Sequence, residues 1–203
     1  PWQWDYPPRK IDFEKVLPRF NAATMTLADP YISNTYVKHA NMIAYGDSMF
    51  SESQRPISVL NREIATCEYL RQHPHPHVCG YLGMQVNPQG YVFGLVFERF
   101  QFNLSQVVAQ NFLFDGDTIC DQIENGINHM HSLGLVHCDI KPDNIFVDVK
   151  NMRAVVGDFD STHKRGETLS LRVGTYGWTS DRFFKAHREN DFHGLGMIRW
   201  WLE

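Results

Sequence analysis

The sequence predicts an α+β chain in two parts: a first half of short antiparallel strands with one helix, and a second, mainly helical half with small hairpins. Three observations carry this. In the first half, apolar residues fall in short runs bounded by turn residues, with a single helical period among them. The second half holds long helical periods, one after Asp117 and one after Asp191. The character changes near Glu98 to Gln101, which marks the seam. Composition is consistent with this: of 203 residues, 43% are hydrophobic and 21% charged, enough to bury a core, which excludes wholesale disorder. A net charge of −4 excludes a surface dominated by nucleic-acid binding. Four cysteines do not make a disulfide scaffold, so free thiols and an intracellular setting, cytoplasmic or nuclear, are expected. The longest apolar stretches, such as Leu95 to Phe97, are far too short to span a bilayer, and no signal peptide is visible.

Residues 1–30 are weakly patterned and punctuated by Pro7-Pro8 and Asp29-Pro30. Tyr36, Val37 and Ile43 suggest a strand or strand pair within residues 31–43, and a polar loop follows from Tyr45 to Pro56. Helix signals begin at Ser58 and run through Leu60, Ile64 and Cys67, until Pro74 and Pro76 end them. The runs Val78 to Val86 and Tyr91 to Phe97, split by Asn87-Pro88-Gln89-Gly90, read as strand, turn, strand. Leu104 to Leu113 reads as a helix with Ser105 at its cap. Asp117 is expected to cap the next helix, which sets Ile119, Ile123, Ile127 and Met130 on one face and ends at Gly134. Short apolar runs at Leu135-Val136, Ile145 to Val147 and Val155-Val156 alternate with dense polar motifs. Leu195, Ile198 and Leu202 then recur at helical spacing. The chain opens on Pro1 and stops inside that apolar pattern, so it reads as a piece of a longer protein.

The chemistry concentrates in His137 to Asn144, HCDIKPDN, followed by Asp158-Phe159-Asp160. Pro142 keeps the first segment out of a helix interior, so it is an ordered loop. Carboxylate and amide oxygens for Mg²⁺, a base for an attacking hydroxyl and a cation for developing phosphoryl charge are the inventory of phosphoryl transfer.

This pair of motifs resembles the catalytic loop and metal motif of eukaryotic protein kinases of the Ser/Thr type. The resemblance spans residues 31–203. It implies a bilobal protein-kinase-like fold: a small lobe of antiparallel sheet plus one helix over residues 1–99, and a partial, mainly helical C-lobe over 100–203 ending within its central helix. It makes Asp139 the base, Lys141 the cation on the transferred phosphoryl group, and Asn144 and Asp158 the Mg²⁺ ligands. Asn61-Arg62-Glu63-Ile64 resembles the family's helix with the ion-pair glutamate, giving that role to Glu63. Tyr36-Val37-Lys38 resembles the strand with its lysine partner, Lys38. Leu95 to Phe100 resembles the strand into the hinge, with Phe97 as gatekeeper and backbone groups of Glu98 and Phe100 facing the adenine of ATP. Gly174 to Asp181 resembles the end of the activation segment, with Thr175 against the catalytic Asp and Lys. Asp191 is placed to support the catalytic loop through backbone N–H groups. The implied partners are ATP, Mg²⁺ and a protein substrate, with no nucleic acid and no membrane; the oligomeric state is left open.

The sequence departs from the pattern in four places. No glycine precedes Lys38, so the glycine-rich phosphate loop is missing, and Asn21 to Thr26 is the segment expected to fold over the nucleotide instead. Asp160 stands where the family has Gly. Cys138 stands where an arginine is common, which argues against activation by the usual phosphorylation; Ser161, Thr162, Thr168 and Ser170 are the candidate acceptors near Lys164, Arg165 and Arg172. No Ala-Pro-Glu follows Trp178. These departures motivate an alternative, a pseudokinase acting as a nucleotide- or protein-binding module. The His73, His75, His77 series with Cys79 invites a zinc reading, but an extended H-P-H-P-H backbone does not converge its rings on one ion. Cys67, Cys120 and Cys138 read as small buried hydrophobes, and Trp200-Trp201 as core or interface.

Overall fold

A computed structural model describes residues 12–40, 56–169, 174–180 and 182–203. The polar loop expected after Tyr45, the acceptor Ser170, Arg172 and Asp181 lie outside them. The first sheet has three antiparallel strands, β1 (Thr35–His39), β2 (Tyr81–Val86) and β3 (Val92–Glu98), in the order β1-β3-β2. Register pairs Lys38 with Leu95 and Tyr36 with Phe97, which sets the lysine strand beside the strand that runs into the seam. Asn87 shapes the β2–β3 turn, its side chain accepting from the N–H groups of Gln89 and Tyr91.

Helix α1 (Pro56–Gln72) starts with Pro, which needs no N–H partner in the first turn, and Pro74 stops it. It buries Leu60, Ile64, Cys67 and Leu70, and also the polar Glu63 and Glu68. Residues 12–34 form a strap that bonds the start of β3 at Pro18 and the outer edge of β2 at Thr26 to Ala28. Thr26 donates its N–H (2.7 Å) and its hydroxyl (2.9 Å) to the Glu68 carboxylate, and Ala28 N–H donates to Met84 O. Backbone approaches so closely there that a Cβ on Gly83 would lie 2.6 Å from Ala28 N.

Past the seam, β4 (Phe102–Asn103) leads into α2 (Leu104–Ala109). The cap is Asn103, not Ser105: the Asn103 side chain accepts from Gln106 N–H, and the Gln106 side chain accepts from Asn103 N–H. The helix stops at Ala109, short of Leu113, because Asn111 turns left-handed at φ 54°. Likewise Asp115, not Asp117, caps α3 (Gly116–Ser132), since its carboxylate reaches both Asp117 N–H and Thr118 N–H. Ile119, Ile123, Ile127 and Met130 are fully buried on one face of α3, each contributing about 1.5–3 kcal/mol. They pack toward β7 (Arg153–Val156), which pairs with β6 (Ile145–Asp148), and toward α4 (Arg188–Leu202). The short strands β5 (Leu135–Val136) and β8 (His163–Lys164) pair with each other. One continuous apolar cluster runs from Leu60 of α1 to Ile198 of α4. Trp201 meets Trp178 edge-on at 6.0 Å, while Trp200 is 70% exposed and outside the core.

Two backbone bonds fasten the parts together. Cys79 N–H donates to Val156 O at 2.8 Å and Val156 N–H to His77 O at 3.0 Å. Gly126 of α3 lies directly under this crossing, where a Cβ would stand 2.3 Å from His77 O.

Candidate active site

Strand β1 presents Lys38, and α1 presents Glu63 behind it. The Lys38 ammonium donates to Glu63 Oε1 at 2.7 Å and pairs with Asp158, with Asp160 Oδ2 at 3.7 Å. One cation thus faces three carboxylates. Burial acts to pull the Lys38 ammonium down, but the carboxylates outweigh it and hold the group charged well above its usual range. Glu63 does not have this cation to itself. Burial, aided by the Asp158 and Asp160 charges, pushes its carboxyl up to about 7 against the pull of Lys38. Asp158 adopts φ 62°, ψ 80°, a left-handed conformation rare for residues other than Gly, Asn and Asp.

The loop below is tied to Asp139. Its Oδ2 accepts from the Lys141 ammonium (2.7 Å) and from the Asn144 amide (3.0 Å), which also donates to Asp139 O (2.9 Å). Lys141 donates in turn to Thr175 Oγ1 at 2.6 Å. Asp139 Oδ1 is buried with no hydrogen-bond partner. An orphaned carboxylate oxygen in a buried site is costly unless a ligand proton or cation meets it. The loop stands on Asp191, fully buried on α4. Its two oxygens accept from His137 N–H (2.9 Å), Cys138 N–H (2.8 Å) and His131 Nε2 (2.8 Å). Cys138 takes φ 66° between these bonds, and burial pushes its thiol up.

Beside the charged group lies a cavity of about 280 Å³. Lys38 and Asp158 line it together with Tyr36, Phe97, Glu98, Phe100 and Phe146. Phe146 and Phe100 stack at 6.2 Å, so the cavity has an aromatic wall and, at Lys38 and Asp158, a charged end. Glu98 N–H is spent on Gly80 O (2.8 Å), so any backbone group it offers is its carbonyl; its carboxylate pairs with Arg153 at 2.9 Å.

The expected site residues therefore fall into two groups, Lys38, Glu63 and Asp158 at the charged end and Asp139, Lys141 and Asn144 on the loop, with Phe97, Glu98 and Phe100 along the cavity wall. The segment Asn21 to Thr26 does not cover the cavity; its bonds to Glu68 hold it at the outer edge of the sheet. Thr162 is fully buried, which removes it as an accessible phosphate acceptor. The histidine series packs instead of converging: His75 stacks on His129 at 4.6 Å, and His77 Nδ1 meets Ala154 O. All four cysteines are buried and free. Sequence reading missed the Asp191 contact of His131 and the Arg153 pair of Glu98. Neither carries a local signal, because each joins segments far apart in the chain.

The family described as a protein kinase domain matches residues 38–202. The chain belongs to the eukaryotic protein kinase family. The Schizosaccharomyces pombe sensor for unfolded proteins in the ER is 32% identical over 128 residues, 52% of this chain and 12% of that protein. The human calcium/calmodulin-dependent protein kinase type 1B is 25% identical over 162 residues, 71% of this chain and 44% of its own length. A solved structure, the yeast RNA Pol II CTD kinase CTDK-1 complex, aligns at a TM-score of 0.62 with 20% identity, over 81% of this chain and 53% of that one. That likeness shows the bilobal α+β kinase fold. The chain spans less than half the length of these two curated relatives. Among the described residues, no helix is long and apolar enough to cross a membrane, and no three His, Cys, Asp or Glu side chains are grouped to hold a metal ion by themselves. A family-type Mg²⁺ needs only Asn144 and Asp158 beside nucleotide phosphates. The donor set fits it: the Asn144 amide nitrogen is turned to Asp139, and the carboxylates around Lys38 leave net negative charge for a divalent cation.

Proposed function

We propose that the protein transfers the γ-phosphoryl group of ATP to Ser/Thr hydroxyls of protein substrates, with a small lobe of residues 1–99 and the C-lobe starting at 100. The observation that carries this reading is the half-engaged Asp139. Lys141 and Asn144 fix one carboxylate oxygen, and the other is buried and unmet. A substrate hydroxyl is the partner that such an oxygen lacks. Asp139 orients that hydroxyl and takes its proton as oxygen bonds to phosphorus and the bond to ADP breaks. Lys141 sits between Asp139 and Thr175, where its charge offsets the charge developing on the phosphoryl oxygens. Lys38, oriented by Glu63, meets the α- and β-phosphates, and the cavity wall at Phe97, Glu98 and Phe100 takes the adenine. Asn144 and Asp158 would hold Mg²⁺, which when bound neutralises phosphate charge. Lysine two places after Asp139 supports the Ser/Thr type. An intracellular site of action, cytoplasmic or nuclear, goes with this reading.

A second reading, a pseudokinase that binds nucleotide without transfer, draws on Asp160. It adds a carboxylate beside Lys38 where phosphates would bind. The test is transfer of labelled phosphate from Mg-ATP to a basic protein substrate by the protein carrying this chain, with D139N and D158N alongside. Incorporation that both substitutions abolish supports the kinase. Saturable Mg-ATP binding with no transfer above the variants replaces it with the pseudokinase.

A further inference from the structure

Two aromatic rings from different sheets line the cavity at Lys38. Tyr36 stands two residues before Lys38 on β1, so the two side chains share one face of the strand, and both border the cavity. Tyr36 is 51% exposed, and among the described residues no other ring and no cation packs on it. Phe146, on β6, is the second ring, and it is braced. Phe100 stacks on it at 6.2 Å, and the Arg153 guanidinium lies over Phe100 at 5.3 Å. Gly157 leaves the room that Phe146 fills, since a Cβ there would stand 2.6 Å from Phe146 Cε2. The cavity, about 280 Å³, is at the small end of ligand sites, which run from about 300 to 1,000 Å³. Its charged end is already crowded, because Lys38 meets Glu63, Asp158 and Asp160. Asn103 and Gln106 border it as well. Their side-chain oxygens accept from each other's backbone N–H groups, which leaves two amide nitrogens as donors.

We propose that this cavity takes a purine nucleoside by its base, stacked on the Tyr36 ring with the braced Phe146 as its other wall, and that phosphates add little to the affinity. The inference rests on the nucleotide reading above and says where in the ligand the binding resides. A flat heteroaromatic base covers an exposed ring that has no other partner, and stacking of this kind tolerates any base with a π-face. Sugar hydroxyls accept from the two amide nitrogens without bringing charge. A phosphate instead approaches one ammonium that three carboxylates already share. Adenosine should therefore bind about as well as Mg-ATP, and should not need the cation to do so.

Equilibrium dialysis of labelled adenosine and labelled Mg-ATP against the full chain tests this, with EDTA added in a second adenosine series. The wild type should bind adenosine within about tenfold of Mg-ATP, and EDTA should leave the adenosine value unchanged. Y36F keeps the ring and should keep both affinities. Y36L keeps bulk but loses the ring, and should weaken both by about tenfold, the loss expected of one base-stacking contact. Because Tyr36 is half-exposed, the thermal midpoints of Y36F and Y36L should match, which separates lost stacking from a folding defect. Adenosine binding without Mg-ATP binding supports the proposal and overturns phosphotransfer. Mg-ATP binding with adenosine more than about tenfold weaker, or undiminished binding by Y36L, overturns the proposal and leaves the nucleotide reading standing. Binding of neither ligand overturns both.

Discussion

On the C-terminal side of the cavity at Lys38, Asp191 is fully buried and both its oxygens are engaged by three donors. On the N-terminal side, Lys38 is shared among three carboxylates, and its β1 strand has no partner beyond β3 among the described residues. The first side is over-determined: each loop group is fixed by more than one contact. The second is under-determined, with more negative than positive charge and no glycine hairpin from Asp12 to Ala40. The comparison teaches that this chain holds the Asp139 loop by many converging contacts and the Lys38 end by few and competing ones.

The largest effect is expected from removing the over-determined anchor. D191A should cost roughly 3–5 kcal/mol of stability, because it strands buried donors on His131, His137 and Cys138. Urea denaturation measures this, and a loss under 1 kcal/mol would break the comparison. Next is Glu63. Its carboxyl rises from 4.5 to about 7 on folding, so the folded chain binds the proton more tightly. The contribution is fully present below about pH 4.5 and is lost as pH rises through 7, on the order of 3 kcal/mol. Urea midpoints at pH 4.5, 6 and 8 should therefore fall with pH in the wild type and fall less in E63Q. Parallel slopes would show that Lys38 serves Glu63 alone. Smaller, at about 1–2 kcal/mol, is T26V, which removes one of the two strap bonds to Glu68. It should raise hydrogen exchange in residues 12–34 and leave ATP affinity unchanged; weakened ATP binding would return the strap to the nucleotide. Smallest is N103A, at about 1 kcal/mol for a lost capping box.

The kinase architecture was legible because its signals are local. HCDIKPDN and DFD carry their chemistry within a few residues, and the strand-turn-strand around Asn87 to Gly90 and the face of α3 follow from periodicity alone. What stayed hidden depends on distant partners. Thr26 is held by Glu68, 42 positions on, a partner with no local signal, so Asn21 to Thr26 reads from sequence as the segment over the nucleotide. Ser105 and Asp117 were plausible caps one element-start too late, because Asn103 with Gln106 and Asp115 with Thr118 satisfy the first N–H groups earlier. Among the site residues, Lys38 was the least obvious, since its partner Glu63 lies 25 positions on.

The fastening at His77 has a mechanical consequence. Cys79, Val156 and Gly126 lock the chain just beyond the C-terminal end of α1, so the helix is a lever pivoted there. At about 1.5 Å per residue, Glu63 sits roughly 14 Å up the arm from Gln72. A swing of about 15° then carries its carboxylate some 3–4 Å, by the same helical rise. That is more than the whole 2.7 Å span to Lys38, so a modest tilt of the helix suffices to couple or uncouple the pair while the pivot stays still.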